Sequence, residues 1–458
     1  MQTQDISDQL IQRICECGWD AYLVGGAVRD MFANLDPHDF DIVTDATPDE
    51  LANIFRDKKV DLVGASFLVT LVDGVEISTY RSDKNIGAGR HNCITTACQT
   101  LDEDLERRDF TFNAMAVCPY TGDVVDKFNG RQDLDNKIIR FVGNPNERIY
   151  EDYLRMIRAA RFACLIEGSL EQNTFAAIKE NVDLIHRVAP ERIRLELMKV
   201  MKYRKPSIFF DILHKTGLLK ELFPGLDKLY HHPGGKYHNE TLCTHFKLVG
   251  DNMSPKDPLL RLIGYFHDIG KPKAWMESGN ENFVNHEKIG ADMIAEIFTW
   301  YRFSHDEIHR AEYSVLFHMR SLAGDIKKKG VRRMLKKFSD RKYDWKDWMK
   351  LKIADRKGNL GNPDYTKEEI KRMVIIIHEA RKINPSCGFT VKDLAVNGQD
   401  VMKYMEIPQG KDVGIMLKVL LDLVVDHPTL NDRELLTIVM KESKTKWDQL
   451  STASHQSN

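Results

Sequence analysis

Over the first third of the chain, short apolar runs of strand length alternate with helical spacings. Ala21 to Val24 and Phe40 to Val43 read as strands, with Val28 to Ala33 as a helix between them. Thr47-Pro48-Asp49-Glu50 reads as a capped helix start with proline just inside, opening a helix through Phe55. Leu68 to Val72 and Val75 to Tyr80 flank Asp73-Gly74, a two-residue hairpin signal. Together these elements predict a small mixed α/β domain ending near Gly143.

From Asn146 the texture changes to long helical periodicity. Ile149, Leu154, Ile157, Ala160 and Cys164 form one apolar stripe, with Arg155, Arg158 and Arg161 beside it. Strand signals nearly vanish from here on. The run His231-His232-Pro233-Gly234-Gly235 suggests the next boundary, and Cys387 to Phe389 the start of a last helical segment. The expected organisation is an α/β head over 1–143, a helical neck and body over 144–230, a histidine-rich helical domain over 231–360, a helical tail over 361–440 and a frayed polar end over 441–458.

Composition changes this picture little. Hydrophobic residues make up 42% of the 458 positions and charged residues 29%, which excludes disorder over most of the length. A formal charge of -2 means that any nucleic-acid surface must be local and offset elsewhere. Eight cysteines lack zinc-finger spacing, no secretory pattern opens the chain, and no apolar run approaches the length of a spanning helix. A soluble cytoplasmic protein with reduced thiols and no membrane partner is expected, and its oligomeric state stays open.

The segment richest in chemistry is Leu23-Val24-Gly25-Gly26-Ala27-Val28-Arg29-Asp30, followed by Asp39-Phe40-Asp41. Two aspartates separated by one residue on a strand face the same way, so both can grip one divalent ion or a pair of them. Such a site serves two-metal phosphoryl transfer. A glycine pair between strand and helix lets backbone N–H groups approach phosphates at the helix start. A D-x-D pair alone is more often a solvated face; its combination with the glycine turn is what points to catalysis.

Val24 to Asp30 with Asp39-Phe40-Asp41 and Thr44 resembles the nucleotidyltransferase motif of class II tRNA CCA-adding enzymes and bacterial poly(A) polymerases. Leu105 to Met115, containing Arg107-Arg108-Asp109, is similar to that family's arginine-arginine-aspartate motif. Glu151-Asp152-Tyr153-Leu154-Arg155, continuing through Arg158 to Arg161-Phe162, resembles its nucleotide-selecting motif; Glu191 to Leu197 and Leu394 to Met402 also look familial. The resemblance implies a polymerase-β-like mixed-sheet head followed by all-α neck, body, HD and tail domains. It implies that Asp39 and Asp41 are catalytic and hold Mg²⁺, that Gly25, Gly26, Arg29, Arg108 and Asp109 meet the triphosphate, and that Asp152 and Arg155 act as a protein template. Arg158 and Arg161 would extend that nucleotide-binding face. The implied reaction adds CMP and AMP from CTP and ATP to the 3' end of tRNA, releasing pyrophosphate. Poly(A) addition is the alternative, and Gly64-Ala65-Ser66-Phe67, where poly(A) polymerases tend to carry paired arginines, favours CCA addition. CC-only and A-only addition also remain open, since the loop Lys84 to Thr96 carries Gly87, Gly89 and Arg90 but not the familial aspartate-glycine-arginine-arginine run. Glu76 is a candidate third carboxylate, and Asn34 stands where the family commonly has glycine in a left-handed turn.

A second constellation is His245, His267-Asp268, His286, His318 and Asp355. Imidazoles and carboxylates converging from separate helices suit a transition metal such as Ni²⁺, Co²⁺, Mn²⁺ or Zn²⁺. The pattern resembles the HD phosphohydrolase superfamily, so a phosphohydrolase or nucleotide-responsive regulator is the reading from another class. The basic run Lys327 to Lys342 is either a solvated helix face or a surface that tracks RNA phosphates. Trp345 and Trp348 read as packing residues.

Overall fold

The computed structural model describes residues 3–37, 39–62, 68–85, 93–232, 241–279, 282–320, 328–360 and 390–455, and between 361 and 389 only residues 367, 368, 370–372, 374, 375, 377 and 378. Gly64-Ala65-Ser66-Phe67, Gly87, Gly89, Arg90, Pro233 to Gly235, Lys327 and Cys387 to Phe389 lie outside the described residues. The chain divides into two compact units. One comprises Met1–His231 with Ser254–Leu262 and Glu296–Ser304; the other comprises His232–Met253, Ile263–Ala295 and His305–Asn458.

In the first unit, helix α1 (Thr3–Glu16) leads into β1 (Ala21–Val24), α2 (Gly26–Phe32), β2 (Asp41–Thr44), α3 (Pro48–Ile54), β3 (Val60–Leu62), β4 (Val69–Val72) and β5 (Val75–Thr79). A separate two-stranded ribbon, β6 (Arg81–Asn85) with β7 (Cys93–Ala97), precedes α4 (Leu101–Glu106), β8 (Ala116–Val117) and β9 (Val124–Val125). Among the described residues the main sheet has the order β3-β4-β5-β2-β1-β8-β9, and only the β2–β5 pair in it is parallel. Val24, Val43, Tyr80, Leu105, Ala114, Ala116 and Val142 form a buried cluster against it.

The local signals act as expected. Asp73 and Gly74 both take positive φ, 50° and 87°, the conformation of a tight hairpin turn. Asn34 likewise sits at φ 54°. At α3, Thr47 accepts from the Glu50 N–H while the Glu50 carboxylate accepts from the Thr47 N–H, a reciprocal cap. Thr47→Ala should cost about 1 kcal/mol of stability, measurable as a lower denaturant midpoint at unchanged slope; no shift would mean that the cap is redundant.

Beyond the sheet come α5 (Gly130–Asp135), α6 (Pro145–Glu151), α7 (Arg155–Ile166), α8 (Gln172–Glu180) and α9 (Pro190–Val200). The apolar stripe is buried as its spacing predicts: Ile149, Leu154, Ile157, Ala160 and Cys164 are all in the core. The helix is not continuous, however. Asp152 is extended, at φ -153° and ψ 105°, and ends α6 three residues before α7 begins.

The second unit is helical among its described residues. Phe317, Phe338, Trp348, Val401, Leu420 and Leu436 belong to one core cluster, in which Trp348 is wholly buried and Trp345 partly so. The basic run meets acids of its own unit in part, with Arg333 still exposed. Helix Lys328–Asp340 turns its cations onto helix Lys411–Asp426: Lys329 and Arg333 pair with Asp426 at 3.0 and 2.7 Å, and Lys336 with Asp422 at 3.3 Å. Arg332 is buried and donates to the carbonyls of Val425 and Asp426 at 2.6 and 3.0 Å, satisfying the end of that helix. Lys329, Arg333 and Lys336 are thus paired within the unit. Helix Arg433–His455 continues into the polar end, and Leu436 and Met440 are buried ahead of it.

Candidate active site

The glycine turn, the carboxylates and the arginines expected to act together share one cleft of about 990 Å³. Gly25 caps α2 at φ 69°, and a side chain there would come within 3.3 Å of Arg108 Nη1 and 3.8 Å of Asp41 Oδ2. Only glycine combines that backbone angle with that closeness. Asp41 is the first residue of β2, opposite Val24, whereas Asp39 precedes the strand, so the pair straddles the strand start rather than lying within it. The parallel register sets Ile42 beside Ile77, which brings Glu76 next to Asp41. Burial, then the charges of Glu76 and Asp39, push Asp41 up to about 6 against the pull of Arg108 and Arg81. Three carboxylates gathered where one resists ionisation fit a divalent cation, which would relieve their repulsion.

Nine cationic side chains line the cleft against six carboxylates, a local excess that suits a triphosphate in a chain whose overall charge is -2. Seven of the arginines are steered by a carboxylate. Asp104, fully buried in α4, accepts from Arg107 at 2.8 Å and Arg108 at 2.9 Å. Although burial opposes its charge, Arg108 and Arg107 hold Asp104 below the usual carboxylate range. Arg29 donates to Asp30 at 2.7 Å and to Asn113 at 3.1 Å. Asp109 accepts from Arg158 Nε at 2.7 Å and from Asn113 at 2.9 Å; against its burial, Arg158 and Arg155 bring it down to about 2. Asp109 therefore steers Arg158. Arg161 pairs with Glu196 of α9 and donates to the Tyr203 hydroxyl at 2.8 Å.

The selecting pair departs from its sequence reading. Asp152 and Arg155 do not share a helix face, because Asp152 sits in the break before α7. Both Asp152 oxygens accept from Arg192 of α9, at 3.0 and 2.6 Å, and Oδ1 also accepts from the Leu154 N–H at 3.1 Å. Arg155 pairs with Glu151 and donates to the carbonyls of Arg148 and Arg107 at 3.0 and 3.1 Å. Sequence reasoning passed over Arg192, although its segment looked familial, and Asp104, which gives no local signal.

In the second unit, His245, His267, Asp268, His286, His318 and Asp355 come together. Helix Pro258–Phe266 ends just before His267-Asp268. Asp268 Oδ2 lies 3.5 and 3.2 Å from Nε2 of His245 and His267, and Oδ1 lies 3.4 and 3.5 Å from Nε2 of His286 and His318. Asp355 is 3.2 Å from His245. The Nδ1 atoms of His267, His286 and His318 face the carbonyls of Gly264, Phe283 and Val315 at 2.8, 2.7 and 2.6 Å, and that of His245 faces Gly358 at 3.4 Å. Each Nδ1 is thereby fixed as the protonated nitrogen, leaving the Nε2 atoms to converge as ligands. Burial opposes the charge on Asp268 and Asp355, yet their neighbours, His267 and Lys271 for one and Lys352 and His245 for the other, hold both well below the usual range. Burial pushes His318 down to about 4, so it is neutral and able to ligate. This donor set fits a transition metal.

Residues 21–140 match the family model of the poly A polymerase head domain, residues 169–230 that described as "Probable RNA and SrmB- binding site of polymerase A", and residues 240–357 that of the HD domain. A CCA-adding enzyme of Limosilactobacillus reuteri is 41% identical over 221 residues, covering 48% of this chain and 54% of the relative; one from Bacillus licheniformis is 41% identical over 222 residues, covering 48% and 55%. The chain thus spans about half the length of the curated relatives it matches. The solved CCA-adding enzyme of Bacillus stearothermophilus in complex with CTP superposes with a TM-score of 0.70 at 22% identity, covering 98% of this chain and 99% of that one. That of Thermotoga maritima complexed with tRNA gives 0.60 at 21%, covering 96% and 95%. No helix among the described residues is long and apolar enough to cross a membrane. The chain therefore matches the models of a poly A polymerase head domain and an HD domain, on a fold shared with solved CCA-adding enzymes.

Proposed function

We propose that the head adds CMP and AMP from CTP and ATP to the 3' end of tRNA, building or repairing CCA and releasing pyrophosphate. The observation that carries this reading is the one cleft that joins the Gly25 turn, Asp39, Asp41 and the steered arginines, with Glu76 acting on Asp41 from the neighbouring strand. Asp39 and Asp41 would hold Mg²⁺, with Glu76 beside them; when bound, the cation supplies charge neutralisation for the reacting oxygens. The remaining work falls to the chain. Gly25 and Gly26 let the triphosphate approach the backbone, Arg29 and Arg108 bind it, and the fixed fork on Asp104 keeps Arg107 and Arg108 from following it out. This holds the α-phosphorus in line with the primer hydroxyl. Incorporation of labelled CTP and ATP into tRNA lacking its 3' end tests the reading, and chains of A alone would favour poly(A) addition.

Selection among bases falls to Asp152, Arg155 and Arg192, whose hydrogen-bonding edges can match cytosine or adenine. Asp152→Ala and Arg192→Ala should each raise UTP misincorporation about tenfold while the KM for CTP moves far less, because a mismatched base leaves buried polar groups unpaired. Unchanged misincorporation in both variants would remove these residues from selection.

The six-residue cluster supports a second activity, a metal-dependent phosphohydrolase acting on RNA ends, with Ni²⁺, Co²⁺, Mn²⁺ or Zn²⁺ as the ion. A soluble, cytoplasmic location accords with both activities.

A further inference from the structure

We propose that Phe162 is a positioning residue that sets the planes of three arginines for triphosphate binding, an inference that rests on the nucleotidyl-transfer reading of the cleft. Its ring centroid lies 3.9 Å from the guanidinium carbon of Arg161, 5.0 Å from that of Arg29 and 5.3 Å from that of Arg158. Arg29 comes from α2, the glycine-turn helix of the head, whereas Arg158 and Arg161 come from α7. A single ring is thus the common reference for cations from two elements, and all three line the cleft that holds Asp41.

The ring is itself held. Phe162 is 2% exposed, and Phe110 and Phe112 meet it edge-on at 5.2 and 5.4 Å with interplanar angles of 71° and 70°. Those two rings stack on each other at 5.5 Å. Phe162 therefore cannot swing to follow an arginine.

The carboxylates and the ring constrain different degrees of freedom. Asp30, Asp109 and Glu196 each engage one edge of a guanidinium, fixing where its donors point. These in-plane contacts, with those of Asn113 to Arg29 and Tyr203 to Arg161, direct the donors but leave the guanidinium faces to the ring. An aromatic face attracts the cation through the ring quadrupole and so limits its tilt. The negative ring face also offsets the mutual repulsion of three crowded cations before a triphosphate arrives. Loss of the ring's electron density should therefore loosen the arginines without unpairing them.

Graded fluorination separates this role from packing, since fluorine withdraws density from the ring face with little change of shape. Full-length protein would be made with Phe162 replaced by mono-, di- and trifluorophenylalanine, and with Phe162→Leu. CTP affinity would be read by calorimetry, KM and kcat by CMP addition, and the thermal midpoint alongside. The expected result is a stepwise rise in Kd and in KM, reaching about tenfold for the trifluoro ring, with kcat and the thermal midpoint little changed. A flat series would overturn the proposal, as would a loss of affinity that tracks a falling thermal midpoint. A protein that binds CTP in graded fashion yet adds neither CMP nor AMP would instead sink the transfer reading and leave the ring's role standing.

Discussion

Asp41→Ala is expected to lower CMP and AMP addition by at least about a thousandfold, ~4 kcal/mol in barrier, while affinity for tRNA stays within about twofold. The size of the effect follows from the position of the residue. Asp41 is fixed at the start of β2 by its pairing with Val24, faces the Gly25 turn, and has Glu76 and Asp39 as its acidic neighbours. Burial and repulsion from them push its carboxyl up to about 6 despite Arg108 and Arg81, and a bound cation would relieve both. Asp39→Ala should act in the same direction. Transfer within tenfold of wild type in either variant would sink the metal assignment, because so small a change is about 1.4 kcal/mol.

The second large effect concerns the buried cluster. Replacing His267 and Asp268 together by alanine should remove at least about a hundredfold of any transition-metal-dependent hydrolysis of a 2',3'-cyclic nucleotide, yet spare CCA addition on tRNA with an intact 3' hydroxyl. Removing Asp268 also leaves Lys271, 2.6 Å away and buried, without that carboxylate, so some loss of stability is expected. Transfer measured in parallel controls for this. Equal loss of both activities would make the cluster structural, and unchanged hydrolysis would place that chemistry elsewhere.

Much of the head was legible because its signals are local. Asp73-Gly74 selects a tight turn whatever surrounds it, and Thr47 with Glu50 closes its own cap. What escaped depends on partners far along the chain. Glu76 is legible as a candidate carboxylate, but its place beside Asp41 comes only through the parallel pairing of β2 and β5. The break at Asp152 is hidden by an apolar stripe that keeps its period on both sides, and Arg192, which occupies Asp152, lies forty positions away. Charge alone does not reveal that Asp422 and Asp426 meet three cations of helix Lys328–Asp340. Similarly, Asp104 reads as one more acid in a solvated helix until its burial shows otherwise.

Three of the clustered histidines, His267, His286 and His318, aim their rings by leaning on a carbonyl three residues earlier in the chain. The orientation of each donor is thus written into a tetrapeptide, at the end of a helix for His267 and His318 and at the start of one for His286. Long-range assembly has only to deliver the backbone to the right place, since the rings arrive already turned. Insertions between these segments would lengthen the route without disturbing the aim, which needs only the histidine and the backbone of its own short segment.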